Sequence, residues 1–198
     1  MFCKYQVSSS PQDEADGPAF NSTATLHHVT PLPAGTTFES ALTTLHNHDM
    51  LMRLDPELSS YEELPKADEA PNAKRYRVTD HMHTLPKGLW DTTVTFESQI
   101  TNTDDGVAWV IKAPLGLVQT TTWRVVRRED VGKGKGKAED DGGDAKDEKS
   151  EWYLVEDAEI KASKLLVGTV KGKCEENWRG VHQKFIGHLQ GAPAAVKA

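Results

Sequence analysis

The chain has 198 residues, with 23 Lys and Arg against 30 Asp and Glu, giving a formal net charge of -7. That acidic balance argues against nucleic acid or anionic lipid as the main partner. Two cysteines, Cys3 and Cys174, cannot build a disulfide framework, so a reducing, cytoplasmic setting is expected. No apolar run reaches the roughly 18 to 20 residues that span a bilayer, and integral membrane association is not expected.

Residues 1–19 read as a disordered tail, because Ser8-Ser9-Ser10-Pro11 and Asp13-Glu14-Ala15-Asp16 hold too little apolar surface to offset ordering entropy. A strand follows from Phe20 to Val29 and breaks at Pro31 and Pro33. Thr36 and Glu39 have capping-box spacing, and Phe38, Leu42 and Leu45 continue it at helical spacing, which predicts a helix over 37–49. Tyr61 to Leu64 reads as a short strand.

From Lys74 the period becomes two. Tyr76, Val78 and Met82 share a face with Asp80. Val94, Phe96, Ser98 and Ile100 alternate with Thr93, Thr95, Glu97 and Gln99. Leu85-Pro86-Lys87-Gly88 and Asn102 to Gly106 supply turns between strands. Val107, Trp109 and Ile111 form the next inward face, and Val118 to Arg128 resumes as a strand.

Residues 129–150 hold eight acidic and five basic residues and Gly-Lys repeats, and predict a disordered insertion between two strands. The repeats lack the spacing of a phosphate-binding loop. Trp152, Leu154, Ala158 and Ile160 continue the strand pattern. Leu166, Val170, Cys174, Trp178, Val181, Phe185 and Leu189 then follow at intervals of four, four, four, three, four and four, the stripe of one long helix over about 163–190. Residues 191–198 read as a tail. The expected fold is α+β: a curved antiparallel sheet of six or seven strands wrapped around that helix in one domain, 20–190.

This order resembles the helix-grip fold of the START-like superfamily, also called SRPBCC, which includes polyketide cyclases and lipid-transfer domains. Local strings also resemble an uncharacterised fungal family within it. They are Thr30-Pro31-Leu32-Pro33-Ala34, Leu45-His46-Asn47-His48, Tyr76-Arg77-Val78-Thr79-Asp80, Leu85-Pro86-Lys87-Gly88-Leu89, and Ala113-Pro114-Leu115-Gly116-Leu117 with Trp123. The resemblance implies a hydrophobic ligand cavity and brings no catalytic motif with it, since one fold hosts cyclases, carriers and structural modules.

Three constellations carry candidate chemistry. The clusters His27-His28, His46-x-His48 and His81-x-His83 raise a metal site, but no third ligand has convincing spacing, and surface or hydrogen-bonding roles suit them; no metal or cofactor is expected. Asp80 on an apolar face must be paired, hydrogen-bonded or protonated. It is either a pocket acid or base, or a backbone-capping residue near a strand end. Tyr76, Phe96, Trp109, Trp123, Trp178, Val181 and Phe185 should surround one interior space with Asp80 at its edge, and the glycines beside the helix stripe should leave room there. No nucleophile–histidine triad or dinucleotide fingerprint is present.

The expected function is binding of a hydrophobic small molecule between sheet and helix. One alternative is a cyclase or isomerase of secondary metabolism using Asp80 or a pocket histidine as acid or base. Another is an interaction module whose cavity is filled by side chains.

Overall fold

The computed structural model describes residues 21–67, 70–83, 91–132 and 150–191. The expected tail over 1–19, residues 192–198 of the expected tail over 191–198, the turn at Leu85 to Gly88, and residues 133–149 of the expected insertion lie outside the described residues, while Gly191 is described and helical.

Seven strands form one antiparallel sheet: β1 (Asn21–Pro31), β2 (Leu58–Leu64), β3 (Ala73–His83), β4 (Asp91–Asn102), β5 (Gly106–Ala113), β6 (Leu117–Arg127) and β7 (Trp152–Ser163). Their order is β1-β7-β6-β5-β4-β3-β2. The chain therefore meanders from β2 to β7 and closes by pairing β7 with β1. Two short helices, α1 (Phe38–Leu45) and α2 (His48–Met52), link β1 to β2 across the width of the sheet. The terminal helix α3 (Lys164–Gly191) packs chiefly on β1 and β7 and touches α1. This is the expected α+β helix-grip arrangement.

Cross-strand register explains the inward face. Val107 pairs with Trp123, Trp123 with Glu156, and Glu156 with His28. One row over, Trp109 pairs with Thr121, Thr121 with Ala158, and Ala158 with Leu26. Alternation carries Tyr76, Val78 and Asp80 of β3 onto the same face. The main core gathers Leu32, Leu45, Leu51, Leu54, Tyr76, Val78, Ile100, Val107, Trp123, Leu154 and Phe185, and a smaller cluster forms around Leu26, Ala158, Ile160 and Val167. Gly106 is required by close approach, since a Cβ there would meet the Trp123 carbonyl oxygen at 1.8 Å.

Three local expectations need correction. The helix over 37–49 is two helices. Thr37, not Thr36, caps α1, and its box partner is Ser40 rather than Glu39. Asn47 then caps α2, its side chain accepting from the Met50 amide, which breaks the helix between Leu45 and His48. The glycines of α3 do not leave room inside. Gly168, Gly172, Gly180 and Gly187 are exposed, and a Cβ on each would meet nothing within 4 Å. They lie on the solvent side because they fall between the stripe positions.

Candidate functional site

Because α3 rests on β1 and β7, it shields the inward face of the sheet unevenly. Ile160 and Ala158 are buried, as are Val167 and Phe185 of the helix. On the far side of the same face, Asp80, Val94, Phe96, Trp109, Ile111 and Gln119 are only half-buried although they point inward. Solvent therefore reaches the space between α3 and β3 to β6. Its helix side carries Val170, Cys174 and Val181, all half-buried.

The seven expected lining residues fall unevenly around this space. Phe96, Trp109 and Val181 are half-buried and pack against a core that contains Tyr76, Trp123 and Phe185. Tyr76 and Phe185 are fully enclosed and form the floor. The Tyr76 hydroxyl donates to His48 Nδ1 at 3.1 Å, so its polar end points toward α2. Trp109 donates its indole N–H to the buried Ser98 hydroxyl, which satisfies its polar atom and leaves the ring as apolar wall. Trp178 stands apart from this group: it stacks on His28 with ring centroids 4.4 Å apart and planes 7° from parallel.

Asp80 sits at the edge of the space, opposite Leu58 of β2 and Val94 of β4. Its Oδ1 is buried and has no hydrogen-bond partner among the described residues. Burial, then the negative charges of Asp55 and Glu57, push its carboxyl up to about 7. Burial and the fields of Glu156, Asp55 and Glu175 push the Cys174 thiol up to about 12, which makes it an unreactive wall residue.

A second polar group, beneath α3, was not anticipated. His28 Nδ1 donates to Glu156 Oε2 at 2.8 Å, and His28 Nε2 donates to Glu175 Oε2 of α3 at 3.3 Å. His182, 1% exposed, places Nε2 obliquely 3.3 Å from the same Glu156 oxygen and Nδ1 2.7 Å from the Thr30 hydroxyl. Burial favours a neutral Glu156, but the hydrogen bond from His28 and the nearby His182 and Trp123 rings outweigh it and hold the carboxyl down to about 2. Burial lowers His28, yet its two carboxylate partners raise it above its ordinary value. The period-two pattern contained this group: His28 alternates with Leu26 and Thr30, Glu156 lies between Leu154 and Ala158, and His182 follows Val181 on the helix stripe. An apolar-only reading of inward positions passes over all three.

The other histidines have separate tasks. His27 donates to Asp157 at 2.7 Å, and Asp157 also takes Arg124 at 2.7 Å. His46 donates to the carbonyls of Thr103 and Gly106, and His48 to Asn102 Oδ1. Among the described residues no group of three or more His, Cys, Asp or Glu is arranged to hold a metal ion. No helix among them is long and apolar enough to cross a membrane.

A sheet gripping one long helix, with an aromatic interior edged by a carboxyl, defines a helix-grip protein. The chain belongs to the family described as a domain of unknown function, DUF7053, which matches residues 21–191. Its fold resembles the Zhui aromatase/cyclase from Streptomyces sp. R1128, with a TM-score of 0.57 and 12% identity over 89% of this chain and 100% of that one. It also resembles norcoclaurine synthase from Thalictrum flavum, solved with dopamine and hydroxybenzaldehyde, with a TM-score of 0.55 and 11% identity over 96% of this chain and 99% of that one. A third likeness is the di-domain aromatase/cyclase BexL from the BE-7585A biosynthetic pathway, with a TM-score of 0.57 and 11% identity over 86% of this chain. The chain spans about half of that protein, 51%. At such identities the likeness is one of fold. No curated protein matches the chain by sequence.

Proposed function

We propose that this protein binds an apolar, ring-containing small molecule between α3 and the inward faces of β3 to β6. The observation that supports this most is the exposure pattern: Phe96, Trp109 and Ile111 point toward the helix yet stay only half-buried. A filled interior would close over them. The related folds include one solved with two small aromatic molecules, dopamine and hydroxybenzaldehyde.

Titration with a fluorescent apolar probe tests the reading. Trp109→Ala removes a wall and should weaken the probe by about 1 to 3 kcal/mol while the circular-dichroism spectrum is kept. Ile111→Trp should fill the space and abolish binding. Unchanged affinity in both variants would reject the site and favour the interaction module.

Asp80 supports a second reading, as a general acid or base, because an unpartnered carboxyl near pH 7 can hold or release a proton there. Asp80→Asn separates the two. A carrier keeps its ligand and has no turnover to lose, whereas an enzyme keeps binding and loses kcat.

A further inference from the structure

We propose that one end of the molecule, built from the β5–β6 turn and the start of α3, docks on the surface of a lipid bilayer. Leu115 and Leu165 would insert between the headgroups, and Lys112 and Lys164 would meet lipid phosphates.

Leu115 and Leu165 are the exposed large hydrophobic residues among the described residues, at 85% and 84% exposure. They come from separate segments that lie at the same end of the sheet. Leu115 lies in the 3-10 turn Pro114–Gly116, which packs against β7. The last residue of β7, Ser163, leads directly into α3, and Leu165 is in its first turn.

The backbone holds Leu115 outward. Its φ is +63°, a left-handed conformation that a leucine rarely adopts, and Gly116 follows at +72°. A strained leucine pointed at water gains nothing from the core, and strain of this kind persists where the residue serves a contact.

Charge fits the same surface. Lys112, two residues before the turn's first residue, and Lys164, beside Leu165, are exposed and form no ion pair among the described residues. Lys112 faces Glu97 across β4 and β5, but Glu97 gives its carboxylate to Arg75. Lys161 lies on the same row as Lys112, with Val118 between them, and pairs with Glu159. The whole-chain charge of -7 opposes binding to anionic lipid. Screening over a Debye length of about 8 Å leaves the local lysines to decide, so docking occurs by this end alone.

The inward face stays partly exposed toward this end as well. Ile111 and Gln119, which flank the turn on β5 and β6, are inward and half-buried. If the interior takes an apolar molecule, as proposed above, a bilayer at this end is the phase that holds such molecules. That delivery role rests on the interior reading; the docking does not.

Vesicle flotation with phosphatidylcholine alone and phosphatidylcholine mixed with phosphatidylserine tests the proposal. The full chain should float with both and partition more strongly to the mixed vesicles. The variant Leu115→Asn with Leu165→Gln should lower partitioning about tenfold or more on either. Asn tolerates the left-handed backbone and both positions are exposed, so folding is kept. Lys112→Gln with Lys164→Gln should cost about fivefold per lysine on the mixed vesicles and less on phosphatidylcholine alone.

The proposal fails if the chain floats with neither vesicle, or if the leucine variant floats as well as the parent. It also fails if sedimentation velocity shows those leucines joining two copies of the chain without vesicle binding. Probe titration without vesicles keeps the two readings apart. The leucine variant should bind the interior probe normally, and Trp109→Ala should float normally.

Discussion

His28 has both ring nitrogens against carboxylates, Glu156 on one side and Glu175 on the other, so only the doubly protonated ring donates to both. Stacked on Trp178, it ties α3 to β1 by a charge that depends on pH. Its value is raised above 6.5 in the fold, so its contribution is complete below 6.5 and fades as pH rises through the folded value. Glu156 works in the opposite sense. Its value falls from 4.5 to about 2, so its contribution is complete above 4.5 and fades as pH falls toward 2. The thermal midpoint should therefore be highest between about 4.5 and 6.5 with respect to this pair. His28→Gln should lower stability by on the order of 2 kcal/mol at pH 6, because Glu156 stays buried with fewer donors, and by less at pH 8. An equal loss at both pH values would show that the ring acts by packing alone. Asp80 runs the other way again. Its carboxyl is raised from 3.8 to about 7, so the fold favours the protonated form and loses that advantage as pH rises. Asp80→Asn should raise the thermal midpoint at pH 8 and change it little at pH 4. A drop at both would mean that the carboxylate makes a structural bond.

The elements show where sequence reading succeeds. Strand alternation and the helix stripe placed Phe96, Trp109, Trp123 and Val181 on inward faces because burial there is the physical origin of both periods. The same logic failed for the α3 glycines, since a missing side chain beside a stripe reads equally as interior room or as solvent face. Their exposure decides it, and sets a contrast within one residue type. Gly172→Ala should stabilise the helix by up to about 1 kcal/mol, because its Cβ meets open space. Gly106→Ala should destabilise by several times as much, because its Cβ collides with backbone. Denaturant midpoints check both, and a stabilising Gly106→Ala would contradict the register of β5 against β6. The break between α1 and α2 was hidden for a related reason. Asn47 competes with helix continuation through its side chain, a choice that apolar spacing does not record.

At the scale of the whole molecule, the order of elements was legible and the polar interior was not. A sheet and a helix are declared by runs of residues. The Glu156 group is assembled by three segments distant in sequence, and each member alone resembles a surface residue. Registers across β1, β7 and α3 bring them together. The expected insertion can be tested at this scale. Its ends are joined by the hairpin itself, with Arg127 paired to Trp152 and the Arg128 amide donating to the Glu151 carbonyl at 3.1 Å. Removing 132–149 and closing with a short Gly-containing turn should leave the thermal midpoint nearly unchanged, because loop closure depends only weakly on length. A large fall would mean that the segment packs on the domain.

The central claim is the location of the ligand. Intermolecular nuclear Overhauser effects between a bound apolar probe and the protein report it directly. The account predicts contacts from the probe to Phe96, Trp109, Ile111 and Val181, all lost in Ile111→Trp. Contacts confined to the outer face of the sheet, around Arg75, Gln99 and Lys112, where a pocket of about 250 Å³ lies, would contradict it.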